Sequence, residues 1–267
     1  MKRTVIFFVV ITLFFRNNVF AHTVLPDCGP GGIYLTKCGP GGINPSSANQ
    51  SLPANGVILL EFSGSSEVFA NQLNKTYNVF LEASNHKINL TVKEILKGDF
   101  NVTQVVLVPA NKLQLAATYT LNITNLPRGH RGVEVWDGGN PHPYTFTAVA
   151  ETNISTKALT GAPVVTKKTL QAFGCGPAAW LHYNIGTGND EPFVRTYIKN
   201  LTTGHTTEFI IPVTDHQFQV GHGMCDGPFQ LSIGTPYEIS FAPVNFAGVT
   251  GERTTAIQVK APSTYSN

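Results

Sequence analysis

The chain has 267 residues with 18 basic and 16 acidic side chains, only 13% of its residues are charged, and 42% are hydrophobic. Charge this sparse and this balanced excludes the basic footprint of a nucleic-acid binder. The length fits one large or two ordinary domains.

Met1 to Arg3 form a positive start, Val5 to Phe15 an apolar core too short to span a bilayer, and Val19 and Ala21 a small-residue cleavage signal. Residues 1–21 therefore read as a signal peptide, with the mature chain starting at His22 outside the cytoplasm. Removing Lys2, Arg3 and Arg16 leaves 15 basic against 16 acidic residues, near −1. No later apolar stretch approaches 18 residues, so no membrane span is expected after signal removal. The expected location is secreted, periplasmic or cell-surface.

Residues 22–43 make a Gly/Pro/Cys-rich leader. It holds a repeated phrase, Cys28-Gly29-Pro30-Gly31-Gly32-Ile33 and then Cys38-Gly39-Pro40-Gly41-Gly42-Ile43. Gly-Pro-Gly-Gly is turn chemistry, and a short strand between the copies would bring Cys28 and Cys38 together. A local Cys28–Cys38 disulfide is the first reading; pairing between molecules, or a reactive thiol pair, is the other.

Short alternating runs follow: Ile88 to Lys93, Tyr119 to Thr124, Tyr144 to Thr147, Phe229 to Ile233 and Tyr237 to Phe241. Such alternation marks strands with one face buried and one wet. Turn clusters recur at Ser63-Gly64-Ser65, Lys97-Gly98-Asp99, Gly138 to Pro141 and Gly186 to Asn189, and no helical period persists. The fold class expected is all-β, two tandem immunoglobulin-like β-sandwich domains after a signal peptide. The divisions are 44–150 for the first sandwich, 151–161 for a linker, 162–262 for the second sandwich and 263–267 for a tail.

Pro53-Ala54-Asn55-Gly56 leading into Val57 to Ser63, then Val106 to Pro109, Lys112-Leu113, Thr118 to Ile123 and Gly139-Asn140-Pro141, give the first half its character. On these residues it resembles the Ig-like modules of bacterial S-layer and surface proteins. Tyr237 to Gly248, with Thr254 to Val259 as closing strand, is similar to the fibronectin type III family, which would make Trp180 the strand-B tryptophan. Under that reading Cys175 precedes strand B and Cys225 follows strand E. These strands run antiparallel as neighbours, so Cys175 and Cys225 are the second expected disulfide, favoured by an oxidising compartment.

Sites of chemistry are few. A mature N-terminal His22 would chelate copper through its amine and imidazole, with His86 and His142 as candidate partners. Gly221-His222-Gly223-Met224-Cys225 holds three soft-ligand types, in an order unlike a cupredoxin loop. Glu134 and Asp137 flank Trp136, and Trp136, Trp180 and Tyr144 could form a carbohydrate platform. Asp215-His216 reads as an exposed turn pair. Phosphate, dinucleotide, esterase and zinc-protease motifs are missing, so no cofactor and no enzyme activity is expected.

Seven Asn-x-Ser/Thr sequences stand at Asn49, Asn74, Asn89, Asn101, Asn122, Asn153 and Asn200. They read as by-products of an Asn/Thr-rich β surface unless the host glycosylates asparagine. The function expected is a non-catalytic module for cell-surface binding, adhesion or structure, its partner a protein or glycan of the cell envelope and not nucleic acid. Periplasmic copper binding and an accessory carbohydrate-binding role are the alternatives.

Overall fold

The computed structural model describes residues 43–45, 51–84, 86–127, 133–137, 140–152, 155–173 and 176–266. The signal segment, His22, Cys28, Cys38, Asn49, Asn153 and Cys175 lie outside them, as do the side chains of Glu134, Trp136, Asp137 and His142.

Ten strands come first: β1 (Ile43–Pro45), β2 (Ser51–Pro53), β3 (Ile58–Ser63), β4 (Asn78–Ala83), β5 (His86–Lys97), β6 (Val102–Pro109), β7 (Thr118–Thr124), β8 (Glu134–Asp137), β9 (Asn140–Pro143) and β10 (Thr145–Val149). A single helical turn, α1 (Glu67–Ala70), interrupts them. Eight of these strands join in the order β1-β3-β6-β5-β4-β7-β10-β2, while β8 and β9 form a separate hairpin. The long β5 turns the corner. Its first residues pair with β4 and its last with β6, and a bulge between Val92 and Glu94 breaks the register. A bulge bends and twists a strand, so one sheet folds into two layers. Between them lies a core that includes Leu60, Phe62, Leu81, Leu107, Tyr119 and Phe146.

The second sandwich sets a three-stranded sheet against a four-stranded one. The first is β11 (Val164–Phe173), β12 (Gly176–Asn184) and β15 (Gln217–His222), in that order. The second is built from β13 (Phe193–Asn200), β14 (Thr206–Pro212), β16 (Pro236–Val244) and β17 (Ile257–Lys260), in the order β14-β13-β16-β17. Seven strands in two antiparallel sheets are an immunoglobulin-like sandwich. Leu181, Tyr183, Phe209, Phe218, Ile239 and Phe241 fill its centre. The expected all-β, two-sandwich architecture is what forms.

Two expectations need correction. Phe229 to Ile233 is not a strand, although Phe229 and Leu231 are buried in alternation. Its backbone donors go elsewhere: Phe229 N–H to the Gly221 carbonyl, Gln230 N–H to Asp99, and Ser232 N–H to the Tyr237 hydroxyl. Trp180 does lie on the strand paired with β15, but half-buried on the outer face; Ala179, Leu181 and Tyr183 take the core side.

Each sandwich carries the same corner. Tyr119 accepts the Gln114 N–H at 2.9 Å, and Tyr237 accepts the Ser232 N–H at 2.9 Å while donating to the Gln230 carbonyl at 3.2 Å. In both, a buried leucine stands six residues upstream, Leu113 and Leu231. This tyrosine corner pins the strand entering each fold. Tyr183, in contrast, is fully buried and its hydroxyl has no hydrogen-bond partner among the described residues. Burial pushes that phenol far above its ordinary range. The same substitution should therefore act in opposite directions. Tyr237→Phe is expected to cost about 1–2 kcal/mol, and Tyr183→Phe to be neutral or stabilising by up to about 1 kcal/mol, because only the first strands partners. Chemical denaturation of both variants checks this, and equal losses would contradict it.

The two sandwiches share an apolar seam. Along β6, Val105 and Leu107 face the first core, whereas Val102 and Val106 join the second cluster. On β3, Leu60 and Phe62 point inward and Leu59 outward, and Leu59 is 1% exposed. The outer face of the first sandwich is thus buried against the second. The connecting residues are tied down as well. Asn55 exchanges two 2.9 Å hydrogen bonds with the Thr152 backbone, and Thr160 N–H donates to Asn189 at 2.9 Å.

Candidate functional site

The seam is the place where side chains from distant parts of the chain converge. Gln104, wholly buried, uses its amide as a strand would use its backbone. Its Oε1 accepts the Ile210 N–H at 3.2 Å, and its Nε2 donates to the Ile210 carbonyl at 2.9 Å. This satisfies the outer edge of β14, which would otherwise be unpaired. Arg195 reaches back with two guanidinium nitrogens to the two oxygens of Glu94, and one of them also meets Glu208 at 3.2 Å. Burial alone would lower the guanidinium's proton affinity, but the two carboxylates outweigh it and hold Arg195 above its ordinary range.

Asp99, on the β5–β6 hairpin, is the hub of a cleft of about 740 Å³. Lys97, Asn200, Thr203 and Gln230 line it too. The carboxylate accepts the Gln230 N–H at 3.3 Å and the Thr207 hydroxyl, and meets His205 Nε2 at 2.9 Å. A hydroxyl, an imidazole and a carboxylate side by side invite comparison with a catalytic triad. The geometry is wrong for relay: the same nitrogen, His205 Nε2, faces Asp99 and also Thr207, at 3.2 Å. A triad base needs one nitrogen for each neighbour. Asp99 is a tether across the seam.

Beside it, Phe100 bridges to Gly227 through paired backbone hydrogen bonds of 3.3 and 2.8 Å. Asp226, next in the chain, is bonded to Ser63 of the first sandwich. Burial raises its carboxyl above the ordinary 3.8, only partly opposed by Ser63. A carboxyl raised on folding stabilises the protein below that ordinary value, and the benefit is lost as pH climbs through the folded value. Asp226→Asn should therefore be more stable than the parent at pH 7, with the difference closing below pH 3.8. Denaturation midpoints across pH 3 to 7 read this out (an order-of-magnitude window, about four units); a loss at pH 7 would contradict it.

The other sequence candidates scatter. His222 is buried, its Nδ1 2.8 Å from the Gly223 carbonyl and its Nε2 3.3 Å from the Leu231 carbonyl, with Phe100 edge-on at 5.7 Å. Both ring nitrogens are engaged within the fold, so His222 does not build a copper loop with Met224. Cys225 is not a free thiol. Asp215 and His216 are the two residues of a tight turn, both with positive φ, closing Thr214 onto Gln217. Asp215 is exposed, as expected. Tyr144 is 6% exposed and stacks edge-on against Phe146 in the first core, so it forms no carbohydrate platform with Trp180. His86 is exposed on β5. Among the described residues no group of three or more His, Cys, Asp or Glu could hold a metal ion.

The residues that sequence reasoning missed are Gln104, Arg195, Glu94 and Asp99. One signal was available. Val57 to Leu60 and Val105 to Val108 are unbroken apolar runs, which mark strands buried on both faces.

No family model matches the chain, and no curated protein does. Among solved structures, a two-domain fibronectin type III segment of chicken tenascin is 10% identical, covers 82% of this chain and 98% of its own, and has a TM-score of 0.25. The tandem Ig repeats of Dlar are 13% identical, with coverages of 82% and 94% and a TM-score of 0.21. A pullulanase from Anoxybacillus sp. LM18-11, complexed with maltotriose, is 11% identical at a TM-score of 0.24. The match takes in 77% of this chain but only 24% of that enzyme. Scores this low support no argument about ligand, activity or partner.

Proposed function

We propose that the chain is an exported, non-catalytic scaffold or binding module of the cell envelope, built as two sandwiches (44–150 and 162–262) held as one stiff body. The observation that carries this is the seam. Gln104, Arg195 and Asp99 each hydrogen-bond across from one sandwich to the other, and a hydrogen-bonded joint fixes the spacing of surfaces at either end. A protein or glycan partner would engage exposed loops and strand edges. Among the described residues no helix is long and apolar enough to cross a membrane.

Export carries with it the disulfides. β12 and β15 are antiparallel neighbours, and Cys175 stands just before β12 while Cys225 stands just after β15. That supports Cys175 as the partner of Cys225. Cys28 with Cys38 remains a proposal from the repeat alone.

Intact mass of the chain recovered from its own host, with and without reduction, is the test. The expected species begins at His22, is recovered outside the cytoplasm and gains four alkyl groups, one per cysteine, only after reduction. A chain found in the cytoplasm with residues 1–21 still attached would refute the proposal. Copper retained by this species and lost on His22→Ala would instead favour metal handling, and retardation in polysaccharide gels a carbohydrate role.

A further inference from the structure

The chain holds seven Asn-x-Ser/Thr sequences. With 21 asparagines and 41 serines and threonines in 267 residues, chance placement yields about three. Five of the seven asparagines are among the described residues, namely Asn74, Asn89, Asn101, Asn122 and Asn200, and none of them is buried. The asparagines that are buried, Asn189 and Asn245, stand outside such sequences. The count exceeds chance, and wherever the asparagine is described it is open enough for a transferase to reach.

Two of the five are brought together by the fold. Asn89 on β5 and Asn122 on β7 both pair in register with Phe80 on β4. Val79 and Leu81 face the core, so Phe80 and its two neighbours occupy the outer face. There Lys87 lies over the Phe80 ring, its Nζ 3.6 Å from the centroid. Residues 33 positions apart in sequence thus stand on one face, either side of one aromatic ring.

We propose that the exported chain is N-glycosylated at these surface sequences, and that Asn89 and Asn122 together define a sugar-covered face on the first sandwich. The inference rests on the export reading. In the transfer, the asparagine Nδ2 attacks the anomeric carbon of an oligosaccharide carried on a lipid diphosphate. The N–C bond forms as the C–O bond to phosphate breaks, the lipid diphosphate leaves, and one amide proton passes to a base of the transferase.

The local hydrogen bonds tolerate this. Asn74, Asn101 and Asn122 each donate from Nδ2, to the carbonyls of Leu90, Cys225 and Thr120, at 2.7, 3.2 and 3.2 Å. A glycosylated amide keeps one N–H for that bond. Asn200 uses Oδ1, accepting the Thr202 and Thr203 N–H groups at 2.9 and 3.1 Å. Because Asn200 lines the Asp99 cleft, a glycan there would stand over its mouth. Sugar would also supply hydration to a chain in which only 13% of the residues are charged, where about 25% is usual.

Peptide mapping of the chain purified from its own host tests this, after enzymatic glycan release that leaves aspartate at each occupied site. The expected result is aspartate at Asn89 and Asn122, with a matching drop in intact mass. Thr91→Ala should abolish the modification at Asn89 alone, and Thr91→Ser should retain it, because the transfer needs the hydroxyl and the exposed Thr91 side chain is not in either core. Unmodified asparagine in a chain that has lost residues 1–21 overturns glycosylation and leaves export standing. Unmodified asparagine in a chain that keeps them overturns both.

Discussion

Replacing Gln104 by leucine is expected to destabilise the protein by about 2–5 kcal/mol, because a buried donor and a buried acceptor lose their partners together. Both belong to one residue, Ile210, which is 3% exposed and offers its N–H and carbonyl away from β13. Leucine fills the space between Val102 and Val106 but satisfies neither group. Glutamate should be worse still, since it cannot donate to the Ile210 carbonyl and would face Glu61, now 3.2 Å from the Gln104 amide nitrogen. The shape of the unfolding curve matters as much as its midpoint. Loosening the seam should split a single denaturant transition into two, one per sandwich. An unchanged midpoint and a single transition in Gln104→Leu would remove Gln104 from the joint.

Arg195→Ala is expected to cost about 1–3 kcal/mol, between the values for an exposed and a buried ion pair, because the arginine is buried and its carboxylates are only partly so. The arginine side chain is 12% exposed, against 32% for Glu94 and 43% for Glu208. Its loss leaves two carboxylates from different sandwiches facing each other. Its aliphatic stem and its position 5.9 Å from the Tyr197 ring add packing that alanine also forfeits. Arg195→Met, which restores the volume and not the charge, should recover only part of the loss. If Arg195→Ala and Glu94→Ala each cost nothing, the pair is decoration on a seam held by its apolar side chains alone.

Much of the fold was legible. Period-two alternation at Ile88 to Lys93 and at Tyr237 to Phe241 located β5 and β16, because a strand with one wet face must alternate. It misled at Phe229 to Ile233, where burial alternates but the backbone hydrogen bonds run to a turn, to Asp99 and to the Tyr237 hydroxyl. The corner itself was half visible, as a leucine followed six residues later by tyrosine in each sandwich. The seam was the hardest to read. An arginine in β13 and a glutamate 101 positions earlier carry no mutual mark in the sequence.

The sequence by itself determined the class of secondary structure, the count of sandwiches and turns such as those at Gly98 and Gly186, since pleat periodicity and Gly, Pro and Asn chemistry act over a few residues. Only the tertiary structure decided which faces meet. Gln104 could equally have been a solvated residue and Asp99 a catalytic acid. Packing settled each, because contact between sandwiches depends on how two finished surfaces fit, and that fit is spread over residues far apart in the chain.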